Sequence, residues 1–183
     1  MQRMELKSQC KACSYYKIAN YQVGGEIVDE RNKPDIMIIG EAPGPQEDIQ
    51  NRPFIGPSGQ LLREALEDIL PRSFITNTVK CYPHGTPSIE NARICVTTHL
   101  IRQIVEIEPK LIILVGNVAE DRFPRSVYSG KLVKIPHPAW ALRGGAARRD
   151  NWKKVVREMI NEVLPSPTFD VRIEPKPFRI YKS

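Results

Sequence analysis

Asp35-Ile36-Met37-Ile38-Ile39-Gly40-Glu41-Ala42-Pro43-Gly44 is the stretch on which the fold turns. An unbroken apolar run closed by glycine is the pattern of a parallel strand buried on both faces, not of a half-wet strand that alternates. Phe74-Ile75-Thr76-Asn77-Thr78-Val79 reads as a second strand, Leu111-Ile112-Ile113-Leu114-Val115 repeats the apolar run and ends at Gly116, and Lys131-Leu132-Val133-Lys134-Ile135 makes a fourth. Helical periodicity fills the gaps. One helix is predicted from about Ser58, its N-cap, to Leu70, with Pro71 as the stop. A long one starts at Thr86-Pro87 and buries Ile89, Ala92, Val96, Leu100, Ile104 and Ile107. A short one covers Asn117 to Phe123, and Asp150 caps a last one that turns Trp152, Val155, Val156, Met159, Ile160 and Val163 inward. Strands alternating with helices give an α/β class: three layers, α/β/α, around a central, mostly parallel four-stranded sheet. Residues 1–164 read as one domain, and Pro165, Pro167, Pro175 and Pro177 mark 165–183 as an extended C-terminal tail.

Composition agrees with a globular chain. At 183 residues, 41% hydrophobic and 26% charged, it has the material for a real core, which excludes disorder, collagen-like repeats and a coiled coil. Leu111–Val115 falls far short of the ~20 apolar residues that span a bilayer. Met1 to Lys11 is polar, without the apolar segment of a secretion signal, so a cytoplasmic protein is expected. Lys and Arg outnumber Asp and Glu by 27 to 21, a net +6. Much of that excess gathers at Arg143, Arg148, Arg149, Lys153, Lys154 and Arg157, which reads equally as a solvated helix face or a grip on a polyanion.

Four cysteines stand out. Cys10 and Cys13 are spaced so that one tight turn aims both thiolates at a common centre, while Cys81 and Cys95 must come from elsewhere in the fold. In a reducing compartment such a set points to a metal rather than to disulfides. Zinc and a [4Fe–4S] cluster both accept four thiolates, and spacing does not choose between them.

Open parallel sheets bind ligands beyond the carboxyl ends of their strands. Three segments of unusual composition fall there: Gly40-Glu41-Ala42-Pro43-Gly44 with Glu47-Asp48 and Arg52-Pro53-Phe54-Ile55-Gly56; Asn77-Thr78-Val79-Lys80-Cys81; and His137-Pro138-Ala139. The first lacks Gly-Lys-Ser/Thr and is no P-loop. Each alone is compatible with a plain turn, a core Phe or a loop His.

In this order, together with Pro57-Ser58-Gly59-Gln60-Leu61-Leu62, Pro109-Lys110-Leu111-Ile112-Ile113 and the four cysteines, they resemble the uracil-DNA glycosylase superfamily, in particular its iron–sulfur family four. The resemblance runs from about Cys10 to Leu164. It implies a [4Fe–4S] cluster on Cys10, Cys13, Cys81 and Cys95, with zinc less favoured. It implies a monomer that acts on uracil in DNA and starts base-excision repair. By the same resemblance Phe54 stacks on an extruded uracil, Asn77 pairs with its edge, Gly40 and Ala42 shape the pocket, and His137 stabilises the departing anion. Ala42 stands where the best-known relatives carry Asp, which leaves Glu41 and Glu47 as the nearby acids for a positioning role. Leu142 and Arg143 match a loop that wedges into the minor groove, and Arg143, Arg148, Arg149 and Lys153 would hold phosphates. Tyr82-Pro83-His84-Gly85 departs from the family's Arg-Pro-Pro and Asn, and an Arg after the first cysteine pair is missing. These departures keep open a rival, a non-catalytic iron–sulfur module that binds nucleic acid on the same scaffold. A zinc-stabilised nucleotide-binding enzyme is a third reading.

Overall fold

A computed structural model describes residues 10–164; the expected tail, 165–183, lies outside the described residues. Strands β1 (Glu26–Ile27), β2 (Ile36–Gly40), β3 (Ser73–Asn77), β4 (Leu111–Val115) and β5 (Lys131–Ile135) form one sheet in the order β1-β3-β2-β4-β5. β2 runs parallel to β3 and β4, and β4 parallel to β5. The class is as expected, but the sheet has five strands and not four. The extra one, β1, pairs antiparallel with β3, Glu26 opposite Ile75. Two residues are too few to carry a periodic signal, so only the pairing reveals it.

Side-chain alternation along the strands feeds two cores. Ile36, Ile38, Ile75, Leu111 and Ile113 face Leu61, Leu62, Trp152, Val156 and Ile160 on one side. Met37, Ile39, Phe74, Ile112 and Leu114 face Val96, Leu100, Ile104 and Ile107 on the other. The helices of the first layer are α2 (Pro57–Ala65), α6 (Pro138–Leu142) and α7 (Gly145–Asn161). The second holds α3 (Ile89–Cys95) and α4 (Ile101–Ile107), joined by a π-helical stretch at Val96–Leu100, and α5 (Asn117–Arg122) follows β4. A further short helix, α1 (Pro45–Gln50), follows β2. Among the described residues no helix is long and apolar enough to cross a membrane.

Helix starts differ from the sequence reading for local reasons. The cap of α2 lies two residues earlier than expected, at Gly56 rather than Ser58, where the Gly56 amide donates to Glu47 Oε1 at 2.8 Å, and the helix ends at Ala65 rather than Leu70. α3 starts at Ile89, since Ser88 Oγ accepts the Asn91 amide at 3.2 Å; Ile89 then points outward, 75% exposed. Asp150 lies inside α7 and caps nothing. A separate short helix, α6, intervenes because His137 caps it and Pro138 occupies its first position. All four parallel strands end on one edge, and Gly40 is registered directly against Asn77 there.

Candidate functional site

A side chain at Gly40 would run into both the Phe54 ring and the Asn77 amide. Phe54 and Asn77 therefore meet over the end of β2, in the gap that glycine leaves. Gly116, at φ +86°, does the same on the neighbouring strand: an added Cβ would lie 3.1 Å from His137 Cβ. Two adjoining cavities of about 360 and 310 Å³ share Ala42, Gly44, Phe54, Asn77 and His137 as walls. The larger also reaches Glu41, Tyr82, His84 and Pro87. The sequence-predicted pocket residues Gly40, Ala42, Phe54, Asn77 and His137 thus lie around one place, where Gly40 and Gly116 leave room for the side chains.

Phe54 is the most constrained. Its φ of +54° lies in the left-handed region, a cost of about 1–3 kcal/mol for a residue other than glycine. Arg63 holds that turn, donating from Nε to the Phe54 carbonyl at 2.9 Å and from Nη2 to the Pro53 carbonyl at 2.9 Å. Arg63 is in turn anchored by Glu26, 1% exposed, whose carboxylate accepts from Arg63 Nη2 at 2.6 Å and from Arg52 Nη2 at 2.7 Å. Burial alone would raise the Glu26 carboxyl, but hydrogen bonds and charge from Arg52 and Arg63 outweigh it and hold it below 4.5. The short strand β1 exists at this edge with a charged residue on it because that residue is a clamp.

Glu47 has no oxygen to spare. It accepts from the Gly44 amide at 3.1 Å and from the Ile55 and Gly56 amides at 2.9 and 2.8 Å, tying the loop after β2 to the Phe54 loop. Asp48 likewise takes the Asn20 and Tyr21 amides at 3.0 and 3.1 Å. Glu41 is different: its carboxylate, 28% exposed, faces the cavity with Arg122 Nη1 3.7 Å away. Its carbonyl accepts from Thr78 Oγ1 at 2.7 Å, which fixes the backbone beneath.

His137 accepts the Ala139 amide through Nδ1 at 3.2 Å. A neutral ring with Nδ1 as acceptor carries its proton on Nε2, so the other edge is a donor. The surrounding walls, and then the charge of Arg143, lower the imidazole below 6.5 even though the ring faces the open cavity. Asn77 is 2% exposed, and Lys80 Nζ donates to its carbonyl at 2.5 Å. Lys80 is fully enclosed, bonded also to Thr76 Oγ1 and Gln103 Oε1 at 2.6 Å, and burial pulls its ammonium down to about 7.

Behind the pocket, Cys81 and Cys95 pack with Tyr15, Val79 and Ala92, and Cys13 and Ala42 lie against them. Ala42 therefore touches both the cavity and the cysteine cluster. His99 Nε2 sits 3.2 Å from Cys10 Sγ, and the Lys80 amide donates to Cys95 Sγ at 3.3 Å. Burial pushes the Cys81 thiol up to about 12 and the Cys95 thiol to about 11; the sulfurs stay protonated until a cation replaces the protons. Three of the four thiols share this apolar patch and Cys10 lies beside His99, a donor set that suits a thiolate-bound centre. As the side chains stand, no three His, Cys, Asp or Glu groups among the described residues close on a single ion.

On the basic rim, Arg143 and Arg149 are exposed, Arg148 lies over the Trp140 ring at 4.9 Å, and Lys153 is drawn toward Asp150 and Glu64 at 3.3 and 3.6 Å. Leu142 is half-buried and packs against the core. Glu26, Arg63, Lys80, His99 and Trp140 were not singled out from the sequence. His99 had a signal, four residues after Cys95 on one helix face, and Lys80 and Trp140 fall in or beside the strand-end segments; Glu26 and Arg63 have none without coordinates.

Residues 28–160 match the Uracil DNA glycosylase superfamily. The chain is 31% identical to a type-4 uracil-DNA glycosylase of Saccharolobus solfataricus, across 88% of this chain and 87% of that one. It is 33% identical to one of Thermotoga maritima across 86% and 89%. Over a shorter stretch, 63% and 59% of the two chains, it is 42% identical to one of Pyrobaculum aerophilum.

Proposed function

The chain belongs to the uracil-DNA glycosylase superfamily, and from that premise we propose that it removes uracil from DNA by hydrolysing the N-glycosidic bond, the first step of base-excision repair. The observation that carries this reading is the meeting of an aromatic ring, a carboxamide and an imidazole over Gly40 and Gly116 in one cavity. Extraction of a base from the stack costs a few kcal/mol, and the pocket must return it. Phe54 offers a face on which the extruded pyrimidine stacks. Asn77 offers a donor and an acceptor to the O4 and N3–H edge of uracil; cytosine presents the opposite pattern, and a buried amide left mispaired rejects it. The Nε2–H of His137 points to where charge grows on uracil O2 as the N1–C1′ bond breaks. Water then bonds to C1′ of the sugar, which has acquired oxocarbenium character, and gives up a proton to solvent. Glu41, open to the cavity, orients that water. Glu47 acts through the backbone, fixing the two loops against each other.

Cys10, Cys13, Cys81 and Cys95 are the ligands we assign to a [4Fe–4S] cluster, which when bound would cross-link the N-terminal segment to the chain beside the pocket. Arg143, Arg148, Arg149 and Lys153 supply phosphate contacts along the α6–α7 rim, with Leu142 supporting that turn from the core side. DNA as substrate and thiolates kept reduced both go with a cytoplasmic site of action.

Incubation with an oligonucleotide bearing one uracil, followed by hot alkali, should nick the strand at that position. Retention of DNA with no nick by cluster-loaded protein would reject the activity and leave the non-catalytic binding module. His137→Ala and Asn77→Ala should each slow excision by at least about a hundredfold with the fold intact.

A further inference from the structure

We propose that Tyr82 and His84 form a stacking platform for the nucleobase next to the uracil on the same strand; the proposal rests on the glycosylase reading. Tyr82-Pro83-His84-Gly85 is the segment in which this sequence departs from the family pattern, and no step of the excision gives it a part. The two cavities share the walls on which uracil stacks and pairs, but the larger runs past them, beyond Glu41, to Tyr82, His84 and Pro87. Uracil on Phe54 and Asn77 takes up the shared part and leaves this arm open. Because the arm leads directly out of the uracil site, the group within reach of it is the adjoining nucleotide of the bound strand.

The arm is lined by rings. The Tyr82 and His84 ring centroids lie 4.4 Å apart with their planes tilted by 34°. Tyr82 is half-buried and His84 exposed, so the outer ring is open to solvent. Space stands free beside it: a Cβ added at Gly85 would meet no atom within 4 Å. The pair is also held in place. His84 has a φ of +56°, a left-handed conformation that a residue other than glycine keeps only under strain, and its Nε2 lies 3.2 Å from the Ile18 carbonyl. Just before the pair, Cys81 bridges to Gln22; just after it, Arg122 Nη2 donates to the Pro87 carbonyl at 2.8 Å. Rings fixed in advance lose little freedom when a ligand lands on them. A base has a π-face whatever its identity, and unpaired bases stack on Tyr and His side chains in this manner.

The contact can be read directly with a single-stranded oligonucleotide that carries 2′-fluorodeoxyuridine, whose glycosidic bond resists hydrolysis, and 2-aminopurine as its 5′ or 3′ neighbour. Stacking quenches the emission of 2-aminopurine. Wild-type protein with its cluster intact should quench it at one of the two neighbouring positions. His84→Gly, which removes the ring and keeps the left-handed backbone, should leave it at least about threefold brighter, and Tyr82→Phe, which keeps both rings, should match wild type. Deleting the same neighbouring base from the strand should weaken binding by wild type about fivefold or more and leave binding by His84→Gly unchanged. Equal emission with wild type and His84→Gly at both positions, or equal loss of affinity in the two proteins, would overturn the platform. Quenching as expected with no uracil released from an ordinary uracil strand would instead fail the glycosylase reading and leave the platform standing.

Discussion

Glu26 illustrates how far from the chemistry a decisive residue can lie. It touches no part of the cavity, yet through Arg63 it holds the carbonyls that keep Phe54 left-handed. Glu26→Gln should therefore raise KM for uracil-DNA about tenfold with a smaller change in kcat, because stacking acts on the bound base throughout. The same substitution should lower stability by about 3 kcal/mol, since it leaves two guanidiniums without their carboxylate. The pH dependence has a definite sign. The folded carboxyl lies below 4.5, so the unfolded chain takes up its proton first. The contribution is complete above pH 4.5 and fades as the pH drops through the folded value; thermal unfolding midpoints should fall over that window in wild type and less in the variant. His137 allows a kinetic counterpart. Burial and Arg143 lower its imidazole, so the ring is neutral in mildly alkaline solution and donates through Nε2, and single-turnover excision should stay level from pH 7.5 to 8.5. A tenfold loss per pH unit across that range would show that the imidazolium is required and the assignment of the donor is wrong.

At the scale of elements, the site is the carboxyl edge of the sheet plus what two glycines leave open. Gly40 ends β2 in register with Asn77 at the end of β3, which explains how residues distant in sequence share a pocket wall. Gly40→Ala should push the Phe54 ring and the Asn77 amide apart; a displacement of about 1 Å is worth about a hundredfold in rate. Excision at wild-type rate in that variant would mean the ring and the amide need not meet. The π-helical stretch at Val96–Leu100 follows Cys95 directly and carries His99 to Cys10, so an irregularity in one helix sets the geometry of the cysteine cluster. The short α6, capped by His137, orients the imidazole at one end and exposes Trp140 at the other.

Over the whole molecule, the net charge of +6 is concentrated usefully at one place. Lys153 is already drawn to Asp150 and Glu64, which leaves Arg143, Arg148 and Arg149 as the main candidates for the proposed phosphate contacts. Three contacts predict that duplex affinity falls roughly fortyfold between 50 and 200 mM salt. A slope half as steep would mean that the α6–α7 rim is not the interface. The α/β class, the four parallel strands, most of the apolar helix faces and the strand ends were legible in the sequence, because burial writes hydrophobic periodicity directly into the chain; Ile89 and Val155, assigned to those faces, are exposed instead. The pocket residues were legible through their order and spacing, which match a family, not through any property of Phe54, Asn77 or His137 taken singly. What only the tertiary structure decided is set by contacts between distant residues: the two-residue strand at Glu26, the left-handed turn at Phe54, the closure of Lys80 on the Asn77 carbonyl, and the exposure of Trp140 under Arg148 beside a half-buried Leu142. Periodicity records which face of an element is dry; it does not record which polar groups from different elements satisfy one another, and those pairings shape this site.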